Sequence, residues 1–122
     1  MNDPDLAIEE TSTLIASNKV EGSSVYNVVG DSLGSIYNFM VEKRSGQVRY
    51  AVLQFGGLFG LGSDYYPIPW EKLTYDSEKG GYIVDIDRET LEGAPHYSIS
   101  EDPVFDRDYG SKVFSYYGLA YP

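Results

Sequence analysis

Short runs of β-branched and aromatic residues, each closed off by a turn that carries glycine, constrain this chain more than any other feature. The runs read "SSVYNVV", "LGSIYNFMVEKR", "VRYAVLQF", "KLTYD" and "GYIVDID". They are joined through Gly30 and Asp31, through "RSGQV" with Gly46 free to take positive φ, and through "SEKGG". Thirteen glycines and twelve tyrosines suit short strands and tight turns better than a helical bundle. The second run is apolar on both sides of its pleat, with Ile36 and Met40 on one and Tyr37, Phe39 and Val41 on the other, which predicts a strand in a closed or covered sheet. Pro67 and Pro69 cannot donate to a ladder, so the strand that enters at Tyr65 is expected at an edge or paired on one side. Five or six such strands predict an all-β fold, a small closed or partly open antiparallel barrel.

The two ends differ from this middle. Residues 1–11 read as a flexible acidic tail and residues 12–95 as the barrel, followed by a segment over 96–122 with a helix at about 103–117 that docks on it. In that helix Asp102 can cap, Pro103 suits the first position and Gly118 can end it. Phe105, Tyr109, Val113, Tyr116 and Tyr117 would share one face. Gly110 costs about 1 kcal/mol relative to Ala, so the helix should depend on docking. Just before it, "RETLEGAPHYS" predicts a single helical turn stopped by Gly93 and Pro95.

Nine basic side chains against nineteen acidic ones give a net charge of −10, spread along the chain. Nucleic acid is a poor partner for that surface, because phosphate neutralisation needs clustered Lys and Arg and the adjacent pair Lys43–Arg44 follows Glu42. The absence of cysteine excludes disulfides, thiolate metal sites and cysteine nucleophiles, and favours the cytoplasm. The start, "MNDPDLAIEETSTLIAS", lacks the basic head and apolar core of a signal peptide, and no apolar run reaches the ~18 residues of a span, so no membrane insertion is expected.

The motif that invites chemistry is "GDSLG", which fits the G-x-S-x-G pattern of a nucleophile elbow and the "GDSL" signature of an esterase family, with Ser32 as nucleophile. An elbow is a strand, a strained turn and then a helix, whereas "SIYNFMVE" after this turn reads as a strand. The sole histidine, His96, lies in a connecting segment with Gly93 where that esterase family has an aspartate. Ser32 is therefore read as a turn residue, and no catalytic residue is assigned. "GGLFGLGSDYY" lacks the G-K-[ST] ending of a phosphate loop and the last glycine of a dinucleotide fingerprint. "DIDRE" and "FDRDYG" lack the glycine and terminal glutamate of a calcium loop. No metal or cofactor is expected.

Four pieces carry a family resemblance: "G-x-x-V-Y-N-x-x-G-x-x-x-G-x-I" from Gly22 to Ile36, "SGQVRYAV" from Ser45 to Val52, "GGLFGLG", and "PIPW" ending at Trp70. Together they resemble the PRC-barrel, named for the cytoplasmic domain of the photosynthetic reaction-centre H subunit and shared with a ribosome maturation factor. The closing "LEGAPHY" and "SYYGLAYP" look like the tails of stand-alone bacterial members. The resemblance implies a structural or interaction module without a catalytic residue set. Neither the transmembrane helix of the reaction-centre subunit nor the preceding domain of the ribosome factor is expected in this chain.

The glycine-rich bend then holds the candidate contact residues. Leu58, Phe59 and Leu61 sit where no regular strand can form, so they must fold over one mouth of the barrel or face a partner, with Tyr65 and Tyr66 of the neighbouring edge strand beside them. The expected partner is another protein or a second copy of the chain, with no specific small molecule. Two rival expectations are a small-molecule or lipid-headgroup sensor using the barrel mouth, and a hydrolase acting through Ser32.

Overall fold

A computed structural model describes residues 10–55, 64–101 and 103–122. Seven strands form one sheet in the order β5-β6-β1-β2-β3-β4-β7: β1 Ser24–Tyr26, β2 Ser32–Val41, β3 Val48–Phe55, β4 Asp64–Pro69, β5 Leu73–Asp76, β6 Gly81–Val84 and β7 Tyr97–Ser98. Three short helices accompany them, α1 Ser17–Val20, α2 Arg88–Glu92 and α3 Arg107–Tyr116, with a 3-10 turn over Trp70–Lys72. Of the expected acidic tail, residues 1–9 lie outside the described residues.

The sheet is mostly antiparallel and it is not closed, so the barrel is partly open with β5 and β7 at its edges. One pair departs from the expected antiparallel arrangement: β1 runs parallel to β6, with Val25 opposite Tyr82 and Tyr26 opposite Ile83. A parallel neighbour requires a crossover connection, and the chain builds β2 to β5 before it returns to β1. The seventh strand, β7, is two residues long and had no periodicity to betray it.

The long hairpin forms as its turn predicts, and Gly46 takes φ +78°. It is β3, rather than β2, that is covered on both faces, with Tyr50, Ala51, Val52 and Leu53 all buried. In β2 the register against β3 slips between Ile36 and Asn38 and again between Met40 and Val41. A bulge opposes two residues to one and turns the following side chains, so Tyr37, Met40 and Val41 end up exposed where strict alternation buries them. Gly34 permits the close pairing before the first slip: its φ is +146°, and a Cβ there would press on the Gln54 carbonyl, whose carbon would be 3.2 Å away.

β4 behaves as its prolines demand. It pairs with β3 along its whole length, but its pairing with β7 stops at Tyr65, before Pro67 and Pro69. α2 is the expected single turn, capped by Asp87, which accepts the Thr90 N–H at 2.7 Å.

α3 starts at Arg107, four residues later than expected, because the capping aspartate is Asp106, which accepts the Tyr109 N–H at 2.9 Å. Asp102 lies outside the described residues, and Pro103 precedes the helix. The buried stripe of α3 is Gly110, Val113 and Phe114, continued by Tyr117, while Tyr116 is exposed. Gly118 follows the helix at φ +75°. The helix packs against β4, Phe114 meets Tyr50 edge-on at 5.4 Å, and Tyr116 donates to the Thr90 carbonyl of α2 at 2.6 Å. The core gathers Leu33, Ile36, Leu53, Ile68, Leu91 and Val113, each essentially out of water and each contributing about 1.5–3 kcal/mol by its burial.

Candidate interaction face

The end of β3 at Phe55 and the start of β4 at Asp64 are lined with rings on both sides. Tyr65 pairs with Tyr97 of β7 and with Gln54 of β3, which in turn faces Ser35 of β2. That register sets Tyr37, displaced outward by the slip in β2, 4.8 Å from Tyr65 between ring centres, and stacks Tyr97 on the other side of Tyr65 at 5.6 Å. The row goes on to Phe105 at 6.3 Å, which meets Tyr109 at 5.0 Å and Tyr50 at 5.2 Å. Side chains alternate across the pleat, so Tyr66 points the other way: it packs edge-on against Phe55 and stacks on His96 at 4.7 Å.

Tyr65 and Tyr66 lie at the start of β4, both buried and with their rings engaged within the chain. The rings that come to the surface beside them are Tyr37, 46% exposed, and the partly exposed Tyr97. Leu58, Phe59 and Leu61 lie outside the described residues. Strict alternation places Tyr37 on a buried face of β2, and the register slip between Ile36 and Asn38 brings it to the surface.

Burial sets the electrostatics of this face. It pushes the Tyr97 phenol up, with Tyr37 and Tyr65 adding to the effect, and it pushes Tyr109 up to about 12. Tyr66 is raised as well, by burial first and then by Asp64 and Glu92. Each phenol therefore stays neutral and works as an apolar ring with a polar tip. The Tyr109 and Tyr117 hydroxyls are buried with no hydrogen-bond partner among the described residues.

His96 is committed to this scaffold. Its Nδ1 donates to the Ala94 carbonyl at 2.8 Å and its Nε2 stands 3.5 Å from Asp64 Oδ2. Ser32 opens β2, a strand after a turn, and its carbonyl accepts from Arg88 Nη2 at 2.8 Å. The elbow geometry of strand, turn and helix is not the one that holds Ser32.

The PRC-barrel domain profile matches residues 12–91. The chain belongs to the PRC-barrel family. The matched stretch of this PRC-barrel runs from before α1 to α2, and α3 with the residues that lead into it lies beyond. No curated protein matches the sequence. No helix among the described residues is long and apolar enough to cross a membrane.

Proposed function

We propose that this PRC-barrel is a non-catalytic interaction or scaffold module, and that its contact face is the ring-lined end of β2, β3 and β4 together with Leu58, Phe59 and Leu61 of the bend. The observation that carries this reading is Tyr37, an exposed ring seated against the buried ring of Tyr65. Tyrosine on a rigid base offers a large contact area at little conformational cost, which is why such rings anchor interfaces. Membership of the PRC-barrel family supports it, because these domains often mediate protein interactions and are generally not catalytic. The simplest partner is a second copy of the chain, meeting through the bend and the neighbouring edge.

Sedimentation equilibrium of the wild type, Leu58→Asp and Tyr37→Ala tests it. The wild type should self-associate and both variants should dissociate by tenfold or more. A wild type that stays monomeric refutes the second copy as partner, and variants that associate as the wild type does refute the face.

A second reading, a small-molecule or lipid-headgroup sensor, has one observation in its favour. A pocket of about 340 Å³ lies between residues 10–15 and the rings of Trp70, Tyr75 and Tyr82. That volume is at the small end of the ~300–1,000 Å³ of ligand sites.

A further inference from the structure

The pocket beside β5 is built from three aromatic walls and a carboxylate. Trp70 and Tyr82 stand 5.5 Å apart at 59°, and Tyr75 meets Tyr82 at 5.2 Å and 65°, so the rings enclose a corner rather than lie in one stack. All three line the same cavity. Glu10, its side chain only 15% exposed, closes one side: it accepts the Tyr75 hydroxyl at 3.0 Å, and the bridge between Glu10 and Ile15 folds this segment into place. Ring faces carry the negative end of an aromatic quadrupole, and a carboxylate at the rim adds a full charge of the same sign.

We propose that this pocket binds a small methylated ammonium cation of the choline type. The inference rests on the sensor reading and names its ligand class. A quaternary ammonium head presents charge spread over methyl groups, which needs no hydrogen-bond acceptors and fits the faces of several rings at once. A lysine ammonium is compact and strongly hydrated, so it suits such a corner less well. Lys19 illustrates this: its Nζ stays 3.7 Å from Glu10 Oε1 with the side chain about one-third exposed. It is the one cation paired with Glu10 among the described residues, and as a like charge it opposes the ligand. The net charge of −10 draws cations toward the whole surface. Burial, with Glu10 adding to it, raises the Tyr75 and Tyr82 phenols, which keeps those walls neutral.

The chain holds a single tryptophan, Trp70, so its fluorescence reports on this pocket directly. Titration of the full chain with choline and with tetramethylammonium should change that fluorescence saturably. The neutral carbon isostere of choline, 3,3-dimethylbutan-1-ol, should bind at least tenfold more weakly. Glu10→Gln, which keeps an acceptor for Tyr75, should weaken choline roughly fivefold to tenfold, and Lys19→Gln should tighten it. Equal binding of the isostere, or no response to either charge change, overturns the cation and leaves a plain apolar pocket. No saturable change with any of the three compounds overturns both the cation and the sensor reading. Sedimentation with phosphatidylcholine and phosphatidylglycerol vesicles names the source. Choline-competed binding to the former supports a lipid head, and fluorescence saturation without vesicle binding supports a free cation.

Discussion

Gly110→Ala should destabilise this protein, although the same change in an ordinary exposed helix gains about 1 kcal/mol. A Cβ at Gly110 would lie 2.6 Å from Cδ1 and 2.7 Å from Cζ of Tyr121, and closer still to Cε1. The Tyr121 ring must therefore leave its seat. It meets Phe114 edge-on at 5.3 Å, an arrangement worth about 0.5–1.5 kcal/mol, and lies 5.7 Å from the Arg107 guanidinium, worth about another 0.5–1 kcal/mol. Its half-buried ring area is lost as well. Set against the helix gain, the net cost is about 1–2 kcal/mol, a fall in Tm of roughly 4–8 °C. Urea and thermal unfolding followed by far-UV circular dichroism measure it. The decisive comparison uses Tyr121→Ala as background, where the clash is gone and Gly110→Ala should stabilise by up to about 1 kcal/mol. The same sign in both backgrounds would refute the close approach of α3 and the carboxy-terminal residues.

Gly34→Ala should cost roughly 2–4 kcal/mol, because the clash is with the backbone of β3 and the φ of +146° is unsuited to a side chain. A urea midpoint near that of the wild type would contradict the observed pairing. Asp106→Ala should remove about 1 kcal/mol by uncapping α3, seen as a lower Tm. On the alkaline side, the raised Tyr50, Tyr97, Tyr109 and Tyr117 phenols bind protons in the folded chain that the unfolded chain has lost. Stability is therefore fully present below pH 10 and falls as pH rises through the folded values, about 12 for Tyr109. Phenolate absorbance should lag until the near-UV dichroism collapses, and full ionisation in a folded chain would contradict this. On the acid side, Arg49 holds Glu42 low, the Thr90 hydroxyl and N–H hold Asp87 low, and the Ser98 N–H and hydroxyl hold Glu101 low. Their contribution is present above the ordinary carboxylate range and is lost as pH falls through the lowered values, so an acid titration followed by circular dichroism should show stability falling only below that range.

Turn chemistry made the fold readable. "RSGQV" and "SEKGG" announce their hairpins through glycine, and Pro67 and Pro69 announce an edge through the donor they lack. What stayed hidden depends on pairings distant in sequence. Nothing in β1 or β6 marks them as parallel neighbours, and β7 is too short for any period to show. Alternation along β2 misplaced Tyr37, Met40 and Val41 because a bulge leaves no residue-type signature here. By residue type Asp102 and Asp106 can both cap, and the N–H of Tyr109 goes to Asp106. The candidate sites followed the same rule. Leu58, Phe59 and Leu61 lie outside the described residues, and the burial of Tyr65 and Tyr66 depends on Tyr97 and His96, about thirty residues further along. The Trp70 pocket was unreadable because it exists only once Glu10 reaches Tyr75, 65 positions away.

Two imino acids on β4 limit how any other strand could pair along it. Beyond Tyr65 the outer margin of the sheet lacks the N–H groups at Pro67 and Pro69 that a docking strand would read, so it cannot serve as a template for stacked backbones. Assembly at that margin must be written in side chains, which makes it sensitive to single substitutions and resistant to runaway polymer growth.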